Sequence, residues 1–272
     1  MATSIVGILN CTPDSFSDGI SSLSPNIVLS RAKELVDDGA DILDIGGDST
    51  RPGSTCAGIE EEWRRIAPIL SAMSKHIPCS VDTHHVEVAR RAIDSGAAII
   101  NDISGDCSEE MSRLIASSQA TYLFMFNAHG AAHKFGEGLS ATEVVPTIRL
   151  WISETTKKLI AHGIPTERLI ADPGMGAFIS RDPQASWEVL SHFSEFPAPR
   201  GGLLLGCSRK GFLKTTNELD IRERDLRSCT LGARAVAQLK PDIPTYLRVH
   251  NVAMQRDILI QEGLTRSHER NT

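Results

Sequence analysis

The feature that most limits what this chain can fold into is a regular alternation of short apolar runs and amphipathic stretches. Short apolar runs ending in polar residues read as strands buried on both faces, and the longer stretches at 3.6-residue spacing read as helices. Strands are expected over Ile5 to Asn10, Ile42 to Gly46, Cys79 to Asp82, Ala98 to Ile103, Thr121 to Phe126, Leu169 to Asp172, Leu203 to Cys207 and Thr245 to His250. Helices are expected over about 27–38, 59–74, 83–95, 108–117, 142–162, 184–195, 225–239 and 252–261, several of them stopped by a glycine such as Gly39, Gly96 or Gly163. Eight such units in 272 residues point to an α/β fold, a TIM (β/α)8 barrel, with a doubly wound sheet as the alternative. Neither a composition shift nor a long linker interrupts the pattern, so one domain over 1–272 is expected, with a polar tail from about 265.

Composition narrows the function classes. A net charge of -6 argues against nucleic acid as the main partner, and no apolar run reaches the roughly 18 residues of a membrane span. The six cysteines are dispersed without C-x-x-C spacing, which disfavours a zinc or redox motif of that kind and suits a reducing compartment. The first residues show no basic leader, so a cytoplasmic location is expected.

A barrel places its chemistry at the C-terminal ends of its strands. Here nearly every strand ends on polar or ionisable side chains: Asn10, Asp48 to Gly53, Asp82, Asn101-Asp102, Asn127, Asp172, Ser208-Arg209-Lys210, and Arg248 with His250. Helix N-capping would explain Asp82 or Ser208 but not Lys210, Arg248 and His250. A polar ten-residue loop, Asn10 to Gly19, follows the first strand, with Phe16 in its middle as either a plug onto the fold or a lid.

That loop, Asn10-Cys11-Thr12-Pro13-Asp14-Ser15-Phe16-Ser17-Asp18-Gly19, resembles the first signature of the dihydropteroate synthase family, with Cys11 in place of the usual Val. Asp44 to Gly53 resembles the second-loop signature. Ser80 to Thr83, Asn101 to Gly105, Asp172 to Gly176, Gly206 to Lys210 and Arg248 to His250 resemble the motifs of strands three, four, six, seven and eight. The family joins a pterin carrying a hydroxymethyl diphosphate to p-aminobenzoate and releases diphosphate.

The resemblance implies catalytic roles for Asp82, Lys210, Arg51, Asp14 and Phe16, the last as a lid. Asp172 would take N–H bonds from the pterin's amino-pyrimidine edge, Asn101 would both donate and accept, and Lys210 would donate to the ring. Asp82 would stabilise positive charge at the reacting methylene. Arg248 and His250 would meet the diphosphate, with Asn10 as an oxygen ligand for Mg²⁺. Thr50 and Pro52 would wall the p-aminobenzoate slot with Arg51. Gly206 and Ser208 complete the seventh-strand motif. The carboxylate would meet the start of a helix after Lys210, where Gly211 replaces a common Ser. A sulfonamide would occupy the same slot, and a homodimer is expected.

Three departures stand out. Asn127 occupies the family's His position on strand five, His129 lies two residues on, and Asn251 replaces an Asp. Two alternatives stay open: a non-catalytic or divergent pterin-binding paralogue, and a pterin-dependent methyltransferase domain. Against the first stand Lys210, Arg248 and Asp82. Against the second stand Ser49 to Gly53 and Ser208 to Lys210.

Overall fold

The computed structural model describes residues 3–12, 24–49, 54, 56–213 and 220–265. Eight strand–helix units follow one another: β1 (Ser4–Asn10), α1 (Pro25–Asp37), β2 (Ile42–Gly46), α2 (Ile59–Met73), β3 (Cys79–Asp82), α3 (Val86–Asp94), β4 (Ile99–Asp102), α4 (Glu109–Ala116), β5 (Thr121–Met125), α5 (Ala141–Ala161), β6 (Leu169–Asp172), α6 (Pro183–Ser191), β7 (Leu203–Leu205), α7 (Ile221–Val236), β8 (Thr245–Val249) and α8 (Val252–Gln261). All strands pair in parallel and in sequence order, and β1 also pairs with β8, Ile5 opposite Leu247. The sheet is therefore a closed barrel, and the doubly wound alternative is excluded.

The strand period of two sorts side chains onto two surfaces. Outward residues such as Ile5, Leu9, Leu43, Ile45, Val81 and Phe124 join the helices in one large apolar cluster. Inward residues Val6, Ile42, Ile99, Leu123, Ile170 and Leu204 form a separate apolar layer, with Tyr246 against it. Two residues further along β2, β4, β6 and β8, the inward positions become Asp44, Asn101, Asp172 and Arg248. The barrel is thus sealed by hydrocarbon below and polar above.

Helix ends follow the expected signals. Gly39, Gly96 and Gly163 each adopt positive φ just past a helix, a conformation that costs glycine nothing. Several boundaries shift by one to four residues, three of them as follows. Helix α7 begins at Ile221 rather than near 225, because the Asp220 side chain accepts from the Glu223 N–H at 2.7 Å and caps a first turn too polar to show periodicity. Helix α6 stops at Ser191, and Phe193–Glu195 turns as a 3₁₀ segment that buries Phe193. Strand β7 ends at Leu205, leaving Gly206 and Cys207 as the turn into the site.

Candidate active site

Inward positions of β2, β3, β4, β6 and β8 build a single polar layer at the barrel mouth. Arg248 donates from Nε to Asp44 Oδ2 at 2.5 Å and from Nη2 to Asp82 Oδ2 at 2.8 Å. Asn101 donates from Nδ2 to both oxygens of Asp44, at 3.3 and 3.2 Å. Its own Oδ1 is buried and has no hydrogen-bond partner among the described residues. A buried acceptor left open is rare in a native protein and marks a place where a ligand N–H belongs.

Above this layer lies a cavity of about 360 Å³, measured to its open mouth, lined by Asp82, Asn101, Asp172, Phe178, Lys210 and Arg248 among others. The Lys210 ammonium lies 4.6 Å from the Phe178 ring centre, a cation–π arrangement that fixes the side chain. Asp172 accepts the Gly174 N–H on Oδ1 at 2.8 Å. Gly206 lines the cavity beside Asp172, where a Cβ would come into contact with Oδ2 at 3.7 Å.

Burial shapes the protonation of these groups. It pushes Asp172 up to about 6, against the Gly174 N–H and the Lys210 charge. It pushes Lys210 down to about 8, with Asp172 pulling the other way. Asp82 rises to about 7, again through burial and against Arg248. Burial alone would lower Arg248, but Asp44 and Asp82 hold it above its ordinary value. Two carboxylates, Asp82 and Asp172, and two cations, Lys210 and Arg248, line the cavity, and the carboxylate oxygens offer acceptors to the N–H edge of a heterocycle.

Sequence reasoning placed Asp44 inside a motif without giving it a role. Its work is positional: it orients both Asn101 and Arg248. Its partner Arg248 lies 204 residues away, so only barrel closure could have revealed the pair.

The loops after β7 and β8 lock together beside the cavity. Ser208 Oγ lies 2.9 Å from His250 Nδ1 and accepts the His250 N–H at 3.1 Å. Ser208 therefore positions His250, and helix capping does not account for it. Arg209, at φ 57°, makes a bidentate pair with Asp225 at 2.6 and 2.8 Å. Asn251 donates to that same carboxylate at 3.2 Å and caps α8 by accepting from Met254 N–H at 3.1 Å. An Asp at 251 would face Asp225 with a like charge; the Asn is the compatible residue. Gly211 opens a three-residue 3₁₀ turn, Gly211–Leu213, where a helix was expected. Among the described residues no α-helix begins there, and an anion at this turn would meet its individual N–H groups.

The strand-five departure is structural. Asn127 is buried and donates to the carbonyls of Ile103 at 3.2 Å and Ala131 at 3.1 Å. It also accepts the His129 N–H at 2.9 Å, and His129 Nε2 meets the Ala177 carbonyl at 3.0 Å. Together they tie the fifth loop to the fourth and sixth.

Asn10 closes β1 beside Gly46, whose missing Cβ leaves open space between Asn10 Oδ1 and Asp82. A neutral carboxamide oxygen at an open mouth fits Mg²⁺, which commonly takes few protein oxygens and fills its shell from phosphate and water. Asp14, Phe16, Thr50, Arg51 and Pro52 lie outside the described residues.

The pterin binding enzyme family matches residues 6–250. A dihydropteroate synthase type-3 of Escherichia coli is 36% identical over 94% of this chain and 96% of its own length. The chain belongs to the dihydropteroate synthases. Members of this family are transferases, and so is this chain. Among solved structures, the dihydropteroate synthase of Xanthomonas albilineans with 4-aminobenzoic acid is 31% identical with a TM-score of 0.81, covering 96% of this chain and 92% of that one. The Burkholderia cenocepacia enzyme complexed with 7,8-dihydropteroate is 28% identical with a TM-score of 0.84, covering 99% and 94%. Among the described residues no helix is long and apolar enough to cross a membrane.

Proposed function

We infer that the barrel mouth condenses 6-hydroxymethyl-7,8-dihydropterin diphosphate with p-aminobenzoate to give 7,8-dihydropteroate and diphosphate. The observation that carries this reading is the convergence on one cavity of Asp172, Lys210, Asp82 and an Asn101 Oδ1 that has no partner among the described residues. An ionised Asp172 takes N–H bonds from the amino-pyrimidine edge, Asn101 accepts a further N–H, and Lys210 donates to a ring acceptor. These contacts aim the exocyclic methylene at Asp82.

The bond from methylene carbon to diphosphate oxygen then breaks as the amine nitrogen of p-aminobenzoate forms its bond to that carbon. The amine loses its proton to solvent. Asp82 stabilises the positive charge at the methylene, more strongly here than it would in water. Arg248 spends two of its N–H donors on Asp44 and Asp82 and keeps three for a ligand. His250, held by Ser208, adds a donor for diphosphate. Asn10 would hold Mg²⁺, which would supply charge neutralisation for the leaving group. The p-aminobenzoate carboxylate is assigned to the turn at Gly211; the family resemblance assigns its ring, and a competing sulfonamide, to Thr50, Arg51 and Pro52. Asp14 and Phe16 would act as the family resemblance implies, Phe16 as a lid.

Six free thiols suit a reducing cytoplasm. Exposed Ile221 and Leu226 on α7 and Ile260 on neighbouring α8 supply apolar surface for a second copy, a homodimer that sedimentation would register.

The test is diphosphate release with the pterin diphosphate and Mg²⁺, with and without p-aminobenzoate. Release with dihydropteroate formed, lost in Lys210→Ala, is the expected result. Pterin binding by folded protein without product would move the weight to a non-catalytic paralogue.

A further inference from the structure

A second constellation lies on the C-terminal face, formed by side chains that the reaction above does not use. Asp48 follows β2, Cys56 precedes α2, His84 lies between β3 and α3, and His133 lies between β5 and α5. One ligand atom from each, a carboxylate oxygen, a thiol sulfur and two imidazole nitrogens, lies within 4.8 Å of all the others. We propose that Asp48, Cys56, His84 and His133 form a binding site for a divalent cation of the zinc type, separate from the pterin cavity.

The donor set selects the ion. Sulfur with two imidazoles and a carboxylate suits a tetrahedral, borderline-soft cation, whereas Mg²⁺ and Ca²⁺ take oxygens. Bonds of ordinary zinc length place tetrahedral ligand atoms roughly 3.3–3.8 Å apart, so the cluster closes on an ion by side-chain shifts of about an ångström.

The first ligand is already oriented. Only 4% of the Asp48 side chain is exposed, and it accepts from Ala57 N–H on Oδ1 at 3.0 Å while Oδ2 meets His133 Nε2 at 2.7 Å. Among the described residues, His133 Nδ1 is buried without a partner, an open valence that a ligand would fill. His84 makes no hydrogen bond among the described residues, and its ring centre lies 5.5 Å from that of His133. A purely hydrogen-bonded cluster would account for Asp48 with His133. The same carboxylate also holds the Cys56 thiol, so what such a cluster leaves unexplained is the second imidazole, His84, converging on the same point.

An outer shell is present as well. His85 Nε2 lies 3.9 Å from Cys56 Sγ, and His85 Nδ1 lies 2.6 Å from Glu62 Oε2, on a side chain with no exposed surface. A carboxylate-backed imidazole beside a thiol is the arrangement that accepts its proton. On binding, the sulfur–metal bond forms and the thiol proton leaves to His85 or to water. Asp48 and Cys56 flank the stretch containing Thr50, Arg51 and Pro52, so the ion would fix both ends of that stretch to the third and fifth loops.

The experiment strips the full chain with a chelator, adds one equivalent of Zn²⁺, and measures metal by mass spectrometry after gel filtration. Co²⁺ serves as a spectroscopic probe. About one zinc per chain is expected, with a thiolate-to-cobalt charge-transfer band and tetrahedral ligand-field bands. Cys56→Ala and His133→Ala should each lower zinc affinity by more than about tenfold, with His76→Ala as the unaffected control. Melting of the metal-free proteins checks that each variant folds; if one does not, the wild-type cobalt spectrum decides. A spectrum without the thiolate band, or zinc retention no greater than in the Cys56→Ala/His133→Ala double variant, overturns the proposal.

Discussion

Asp172 shows how a binding group is maintained against its own folding cost. Burial raises its pKa from 3.8 to about 6, so the folded state holds the proton more tightly than the unfolded chain does. The sign follows: relative to low pH, this carboxylate destabilises the fold as pH rises through about 6. Asp172→Asn should therefore gain roughly 3 kcal/mol at pH 8 and little at pH 4, read from denaturant midpoints. The same variant should lose pterin binding, because an amide offers one acceptor where the carboxylate offers two. A neutral or negative stability change at pH 8 would show that Asp172 is not strained by burial. Lys210 sets the other limb. With Asp172 and Asp82 raised to about 6 and 7, and Lys210 lowered to about 8, kcat/KM for the pterin substrate should rise with pH between about 6 and 7 and fall above about 8. Lys210→Arg keeps the cation at all pH values and should flatten the alkaline limb while leaving the acid limb in place. An unchanged alkaline limb in that variant would assign the proton to another group.

At the scale of elements, the loop after β6 shows how a turn delivers a side chain. Gly174 has φ 70°, and a Cβ there would collide with the Phe126 carbonyl oxygen. Gly174→Ala should cost about 3 kcal/mol and displace Asp172, since the Gly174 N–H holds that carboxylate. A variant that melts with wild-type stability and binds pterin normally would show that the loop is tolerant. Such loops were legible in the sequence because each follows a short apolar strand. The two-residue period even separates Asp172, Asn101 and Arg248 from the outward-facing residues between them. What local pattern could not show was pairing across the barrel. Asp44 joins Asn101 and Arg248 only after β8 returns to β1. The convergence of Asp48, Cys56, His84 and His133 likewise depends on three loops that are remote in sequence. The start of α7 was missed because Asp220 caps a polar turn. The 3₁₀ turn at Gly211 was missed because three residues have no period to read.

The whole molecule behaves as one unit because the barrel closes. Strand β1 pairs with both β2 and β8, and Thr3 N–H donates to the Leu264 carbonyl at 3.3 Å, so the two ends of the described chain meet. A pterin in the cavity would touch side chains from β3, β4, β6 and β8 and from the loop after β7. No part of that site survives loss of the barrel, so ligand binding should raise the single unfolding transition as a whole. Pterin diphosphate at one hundred times its Kd contributes about 2.7 kcal/mol. For a chain of this size that corresponds to a Tm increase of about 5–10 °C. Mg²⁺ alone should move Tm little, because Asn10 offers one neutral oxygen. With the diphosphate present, Mg²⁺ should enlarge the shift, and Asn10→Ala should remove that enlargement while leaving the shift given by the diphosphate-free pterin. Omitting magnesium from the buffer, rather than adding a chelator, keeps this measurement independent of the zinc-type site. A shift that ignores magnesium in both proteins would take Asn10 out of the metal's coordination shell and leave the diphosphate to Arg248 and His250.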